Sequence, residues 1–201
     1  MPNTLMDAVI ALEWEMFTTV RNSGRRADCQ EDPEAFRAMR LSQLSEWPEP
    51  LLSGYRGDLE SARLEGRNLM TEKYAWMMES TFPEEFANIS EMLPPIGAET
   101  AQEIEEIIAV NVEWKIAVCG RYPKLGQKGR PVRSGEDSRF DTSFETYLRG
   151  ELKTYSPATV KALHAFTMRR KNEGVNGVER DLTHQMRWYG FASLEQAEAG
   201  Q

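Results

Sequence analysis

Apolar residues recur at helical spacing along almost the whole chain. The first such stripe predicts an amphipathic helix over about residues 4–22 and consists of Met6, Val9, Ile10, Met16, Phe17 and Val20. Similar stripes predict helices over about residues 32–47, 51–80, 83–92, 99–119, 142–152, 156–174 and 176–190, and Ser193 opens a terminal turn. The pattern therefore predicts an all-α protein, one compact domain over residues 1–201 with about seven to eight helices.

Residues 120–141 depart from this pattern. They contain four glycines, two prolines and six basic residues, which are Arg121, Lys124, Lys128, Arg130, Arg133 and Arg139. Glycine and proline at this density interrupt helices. Because long connections without secondary structure are typically functional or disordered, we expect a long, mobile, basic loop inside the helical domain.

Several polar residues lie within the apolar stripes. Glu13 lies four residues after Val9 and three after Ile10, so it shares their helix face, and Gln43 and Lys73 occupy similar positions in later stripes. A buried polar group costs free energy unless it has a partner. One hypothesis is a polar pocket between helices in which Glu13 is an acid, a base or a ligand anchor. The other is a structural ion pair between Glu13 and a cation on another helix.

The candidate cations for this ion pair are Arg40, Arg67 and Lys73. Each lies on a predicted helix or next to one, and none is adjacent to Glu13 in sequence. The ion-pair hypothesis and the pocket hypothesis both place Glu13 in the interior. The sequence leaves both open.

The overall charge restricts the kind of partner. The chain has a formal net charge of -8 and a pI of about 5.0, which disfavours nucleic acid or an anionic membrane as a partner for the whole surface. No apolar run approaches the roughly 18 residues that a membrane span needs. The N-terminus lacks the basic and continuous apolar regions of a secretory signal. We therefore expect a cytoplasmic protein without membrane association.

Cys29 is a second candidate catalytic residue. It follows Arg25 and Arg26 and lies just before a predicted helix N-terminus, and both features lower the pKa of a thiol. A nucleophilic or redox role is one interpretation, and an inert, half-buried thiol is the other. Cys119 is distant in sequence, so the two thiols are typical of a reducing compartment and do not predict a disulfide scaffold.

The histidines do not predict a metal centre. A di-iron bundle requires two Glu-x-x-His motifs, and the chain offers only one related pair, Asp181 and His184. Neither histidine has a cysteine or a second histidine at the spacing of zinc ligands. We predict no metal site, and the pattern specifies no cofactor.

Four stretches together resemble a family of bacterial and archaeal proteins known as domain of unknown function 4125. They are EWEMF…CQEDPEAFRAMRLSQLSEW, SGYRGDLESARLEGRNLMTEKYAWMMESTFPEEF, TSFETYLRGELKTYS and WYGFASLEQAE. The resemblance covers almost the whole chain and departs at Ser23-Gly24, where the family tends to have paired glycines. It implies a bacterial or archaeal cytoplasmic protein with one full-length domain. It transfers no activity and no catalytic residue.

The same stretches are rich in polar and aromatic residues beyond the needs of a packed core. The candidate ligand-binding residues among them are Arg40, Gln43, Trp47, Arg67, Asn68, Lys73 and Tyr74. The preferred hypothesis is that the protein binds or transforms a polar, anionic small molecule in an interhelical pocket. The alternative is a non-enzymatic regulatory or protein-interaction module. A convergent pocket would favour the first, and a contiguous exposed apolar patch the second. The pattern specifies neither an enzyme class nor an oligomeric state.

Overall fold

The computed structural model describes residues 4–20, 30–139 and 141–200. Within these ranges the chain forms eleven α-helices and no strand, which confirms the all-α class. The helices are α1 (Leu5–Thr19), α2 (Pro33–Leu44), α3 (Glu49–Leu64), α4 (Leu69–Thr81), α5 (Pro83–Ala87), α6 (Ala98–Arg121), α7 (Pro123–Gln127), α8 (Phe144–Leu152), α9 (Pro157–Asn172), α10 (Gly177–Trp188) and α11 (Leu194–Ala199). No helix among the described residues has the length and apolar character needed to cross a membrane.

Helix starts follow the capping residues. Asp32 and Ser156 each accept a hydrogen bond from the backbone N–H three residues later, and a proline occupies the first helical position after each. The helix starts predicted near residues 32 and 156 agree with these caps. At α8 the cap is Ser143, which accepts from the backbone of Thr146, one residue later than the predicted start at 142.

The predicted helix over 51–80 is two helices. Gly66 adopts a φ of 71°, a conformation that side chains rarely take. Its N–H donates to Arg63 O at 3.1 Å, and the N–H of Arg67 donates to Ala62 O at 2.8 Å. This pair of bonds is the Schellman motif, which ends α3. Asn68 then caps α4. The turn allows α3 and α4 to pack separately against α1.

Residues 120–141, predicted as a long basic loop, include short helical elements that the sequence did not predict. Helix α6 continues to Arg121, α7 follows at Pro123–Gln127, and a 3₁₀ turn occupies Ser134–Glu136. The Asp137 carboxylate accepts from the hydroxyl of Ser80 on α4 and from the backbone of Ser143. The segment is thus tied to α4 and α8, and its mobility stays a prediction.

Helix α6 is the longest helix and organises the packing. It contacts α7, α8, α9 and α10, while α1 contacts α2, α3 and α4. The main core contains side chains from most of the long helices, including Val9, Leu44, Leu59, Ile104, Ile107, Leu152 and Val160, each at most 2% exposed. A smaller cluster of Val118, Tyr122 and Leu194 lies at the C-terminal end of α6.

A close helix contact fixes α8 on α4. Gly150 is buried on α8, and a Cβ placed there would lie 2.8 Å from the carbonyl oxygen of Lys73 and 2.8 Å from Cγ of Met77. A backbone carbonyl within a helix cannot move aside without shifting the helix. The absence of a side chain at Gly150 therefore sets how closely Lys73 approaches α8.

We predict that Gly150→Ala lowers the free energy of unfolding by about 1–3 kcal/mol, since overpacking at a tight contact displaces backbone. Urea unfolding measures the change. The matched control is Gly57→Ala on α3, where an added Cβ meets nothing within 4 Å. That change should stabilise by about 0.5–1 kcal/mol, because alanine is the better helix former. Equal effects of the two changes would contradict the assigned contact.

Candidate functional site

A buried ion pair joins α1 to α2. Glu13 is 0% exposed, and Arg40 is 5% exposed. The Arg40 guanidinium donates to the two Glu13 oxygens at 2.8 and 2.5 Å. The hydroxyl of Tyr55 on α3 donates to Glu13 Oε1 at 2.6 Å. The predicted pairing of Glu13 with a cation on another helix is therefore confirmed, and the partner is Arg40.

A second carboxylate, Glu151 on α8, extends this pair. It accepts from Arg40 at 3.2 Å, from the Lys73 ammonium at 2.6 Å and from the Tyr155 hydroxyl at 2.9 Å. Lys73 also lies 3.6 Å from the centre of the Tyr147 ring, a cation–π contact. Two carboxylates and two cations thus alternate across four helices, and their charges cancel.

Burial and charge act in opposite directions on these groups. Burial raises the pKa of Glu151, but Lys73 and Arg40 outweigh it and hold that pKa well below its usual range. Burial lowers the pKa of Lys73, and Glu151 reverses this effect and raises it. Burial raises the pKa of the Tyr55 and Tyr155 hydroxyls well above their usual range. At neutral pH Glu151 and Lys73 stay charged, and both phenols donate hydrogen bonds.

A cleft of about 330 Å³ opens above this network. Its lining comes from α2, α6, α8, α9 and α10, with Arg40 and Glu151 contributing polar groups. Most of the remaining wall is apolar and includes the aromatic residues Trp47, Trp114, Phe144, Tyr147, Tyr155 and Phe166. A mostly apolar cavity with a few converging polar groups is typical of a small-molecule site.

The position of Trp114 in the wall depends on Gly177. A Cβ on Gly177 would lie 2.8 Å from the indole ring of Trp114. The side chain of Asn176, which caps α10, also donates to the carbonyl of Trp114 at 3.1 Å. The start of α10 therefore holds one aromatic wall of the cleft.

Two cations in the cleft lining have no carboxylate partner among the described residues. Lys115 on α6 lies 5.9 Å from the centre of the Phe144 ring. Arg130 stacks on Tyr147 at 4.7 Å and donates to the carbonyl of Thr142 at 3.1 Å. By contrast, the lining residue Arg170 pairs with Glu46. Lys115 and Arg130 thus place uncompensated positive charge beside an aromatic surface.

Asp181 on α10 also lines the cleft, and its carboxyl makes no hydrogen bond to the described residues. Burial raises its pKa. Arg170 opposes the shift, Glu46 adds to it and Arg40 opposes it, and the pKa comes to about 8. A carboxyl with this pKa is largely protonated at neutral pH and can donate a hydrogen bond.

A family model described as Protein of unknown function (DUF4125) matches residues 3–199. The chain belongs to this family. The match confirms the resemblance read from the sequence and includes every residue of the buried network and of the cleft. No curated protein and no solved structure matches this DUF4125 chain.

The structure brings some of the predicted site residues together. Arg40, Gln43 and Trp47 line the cleft, and the Gln43 amide oxygen accepts from Arg40. Lys73 and Tyr74 line a neighbouring cleft of about 490 Å³, whose wall also includes Arg40, Arg130 and Tyr147. Glu13 lines neither cleft and lies beneath Arg40 as its partner.

The other predicted site residues are elsewhere. Arg67 donates to the two Glu72 oxygens at 2.8 Å each, beside the turn between α3 and α4. Asn68 caps α4 and donates to the carbonyl of Met16 at 2.8 Å. These contacts connect helices and do not border the cleft. Cys29 lies outside the described residues.

Sequence reasoning missed Glu151, Lys115 and the position of Asp181. Glu151 lies three residues after Leu148 and one before Leu152, and this spacing could have identified a carboxylate beside an apolar stripe. Asp181 was considered only with His184, but His184 contacts Glu46 at 3.2 Å. Among the described residues, no three His, Cys, Asp or Glu side chains converge as metal ligands.

We predict that Glu13→Gln lowers the free energy of unfolding by roughly 3–5 kcal/mol, because it removes the principal partner of a buried guanidinium. Urea unfolding is the measurement. The control is Glu15→Gln on the same helix, whose side chain is 60% exposed and lies 3.5 Å from Arg63. Its effect should stay within about 0.5 kcal/mol. A small change in the free energy of unfolding of Glu13→Gln, together with a loss of ligand binding, would instead support a catalytic Glu13.

The pH dependence of stability reports on Glu151. Its pKa is lower in the folded protein than in the unfolded chain, so its ionised form stabilises the fold above about pH 4.3 and less as pH falls below that value. We predict that the difference in unfolding free energy between wild type and Glu151→Gln narrows from about pH 7 to about pH 3. For the exposed Glu173→Gln control the difference should stay constant. A constant difference for both variants would contradict the assigned ion pairs.

Proposed function

We propose that this DUF4125 protein binds a small organic anion with an apolar, ring-sized body in the cleft between α2, α6, α8, α9 and α10. The observation that carries the proposal is the pair of cations, Lys115 and Arg130, without carboxylate partners among the described residues beside an aromatic wall. An anion in the cleft would supply the missing countercharge. Its apolar body would be buried against Trp47 and Trp114.

The charge balance of the chain supports this proposal. The sequence has 32 acidic and 24 basic residues, so carboxylates outnumber available cations. In such a chain most cations near the interior find a carboxylate, as Arg40, Lys73 and Arg170 do. Lys115 is partly buried and has no carboxylate partner among the described residues, and Arg130 lies at the exposed edge of the same cleft. Their place beside the cleft favours recognition of an external anion, for which guanidinium and ammonium groups are well suited.

The buried network of Glu13, Arg40, Glu151 and Lys73 would help to orient the ligand and would add no net charge to the cleft. Arg40 is neutralised by Glu13 and Glu151, and its bond to the Gln43 oxygen leaves the Gln43 amide nitrogen for a ligand. In this proposal Glu13 positions Arg40 and does not contact the bound molecule.

The regulatory or interaction module has less support. Such a module needs a contiguous apolar surface of several hundred Å². The large exposed apolar side chains among the described residues are Leu64, Met92, Ile116, Trp188 and Tyr189, and they belong to α3, a 3₁₀ turn, α6 and the end of α10. Trp188 and Tyr189 are adjacent, and the other three belong to separate elements. A few exposed apolar side chains are ordinary on a protein surface. The cytoplasmic location and the bacterial or archaeal origin expected from the sequence remain part of the proposal.

Binding can be tested with naphthoate and its uncharged counterpart naphthalenemethanol, by calorimetric titration and thermal unfolding. Naphthoate should raise the Tm by mass action and the alcohol should not, since only the carboxylate pairs with the cations. Lys115→Gln should weaken naphthoate binding about tenfold, the value of one charge-assisted hydrogen bond. Lys124→Gln, on the exposed surface of α7, is the matched control. Equal affinities for the two compounds, or equal effects of the two variants, would refute the proposal.

A further inference from the structure

The cleft contains two carboxyl groups with opposite surroundings. Glu151 accepts hydrogen bonds from three side chains, Arg40, Lys73 and Tyr155. Asp181 accepts none from the described residues, although it lines the same cavity. Asp181 is partly exposed, and its carboxyl borders the cavity. The Asp181 carboxyl is therefore available to a bound molecule, whereas the Glu151 carboxylate is already hydrogen-bonded within the protein.

The nearby cations do not neutralise Asp181. Arg170 donates to Glu46, which also accepts from Arg180 at 2.8 Å and contacts His184 at 3.2 Å. Glu46 thus pairs with Arg170, the cation with the largest effect on the pKa of Asp181. The charge of Arg170 lowers the pKa of Asp181, but burial raises it by more.

The orientation of α10 directs Asp181 into the cavity. Val178, Leu182 and Gln185 line the cleft together with Asp181, at the spacing of one helix face. The other charged groups of the lining are Arg40, Lys115, Arg130, Glu151 and Arg170, from α2, α6, α8, α9 and the segment before α8. The titratable phenols there are Tyr147 and Tyr155.

We propose that Asp181 is the neutral hydrogen-bond donor of the cleft, and that the bound anion carries an uncharged acceptor oxygen, such as a carbonyl, which Asp181 recognises. This inference rests on the proposed function, because it specifies the ligand of the same site. The anionic end of the molecule pairs with Lys115 and Arg130, and the acceptor oxygen takes the hydrogen bond that Asp181 does not make to the described residues. The ligand class is therefore a small oxo-acid with an apolar body.

The protonation state determines what this site accepts. A protonated carboxyl donates one hydrogen bond and adds no negative charge to the cavity. Burial raises the pKa of Asp181 to about 8, so the donor is present at neutral pH and is lost as pH rises through that value. Ionised Asp181 would also repel an anionic ligand. Affinity should therefore fall on the alkaline side.

The uncharged reagent dicyclohexylcarbodiimide tests the state of Asp181 without any ligand. It reacts with protonated carboxyls in apolar surroundings by adding the acid O–H across its C=N bond, and the adduct rearranges to a stable acylurea that peptide mass spectrometry locates. We expect labelling of Asp181 at neutral pH that declines through about pH 8. Glu151 is the internal control, since it is ionised and lies in the same cleft. Absent labelling of Asp181, or equal labelling of both residues, would overturn the inference.

Recognition of the acceptor oxygen is tested with para-acetylbenzoate and para-isopropylbenzoate, which have similar shape and differ in the carbonyl. The wild type should bind the acetyl compound about tenfold more tightly, the value of one buried hydrogen bond. Asp181→Ala should abolish this preference. Asp181→Asn should retain it, because the amide N–H still donates, and should lose the decline above about pH 8.

The two experiments separate the possible failures. Equal affinity of the wild type for the two benzoates, with Asp181 labelled, would overturn acceptor recognition and leave anion binding intact. Binding of neither benzoate nor naphthoate would overturn the proposed function and the inference with it. The carbodiimide result would still establish whether Asp181 carries a proton. Labelling with an acetyl preference that depends on Asp181 supports the inference.

Discussion

The buried guanidinium of Arg40 constrains the interior more than any other group in the described structure. A cation removed from water without partners costs several kcal/mol, so its position is stable only where carboxylates surround it. Glu13 from α1 and Glu151 from α8 provide them, and Lys73 from α4 completes the balance on Glu151. Each of these ions is stable in the interior only beside its oppositely charged neighbour. Burial of Arg40 therefore constrains the relative placement of four helices. Apolar packing alone would specify this arrangement less strictly, because apolar contacts have no direction.

The polar residues around the cleft are of two kinds. Some already have hydrogen-bond partners within the protein and stabilise the fold, and others lack such partners and are available to a ligand. Glu13 and Glu151 have each accepted three hydrogen bonds, whereas Lys115 has no carboxylate partner and Asp181 no hydrogen bond among the described residues. A ligand gains little from groups already satisfied. Selectivity in the proposed site therefore depends on the unsatisfied groups of its wall.

Local patterns predicted the helical class and much of its detail. Capping residues such as Asp32 and Ser156 act on backbone groups within one turn, so their effect can be read from a short window. The burial of Glu13 and Lys73 was also predictable, because their apolar neighbours lie three and four residues away on the same face. The break between α3 and α4 depended on Gly66, whose sign of φ is not encoded by periodicity.

The amino-acid sequence by itself determined that this DUF4125 chain is helical and that charged residues enter its core. Which charges meet was decided by tertiary packing. Glu151 lies 111 residues from Arg40 and 78 from Lys73, separations over which helical periodicity carries no information. Arg67 belonged to the same set of candidate cations as Arg40, but a turn places it beside Glu72. Burial and pairing depend on how the helices pack against one another. The position of Asp181 in the cleft is therefore set only by the packing of α10 against α2 and α6.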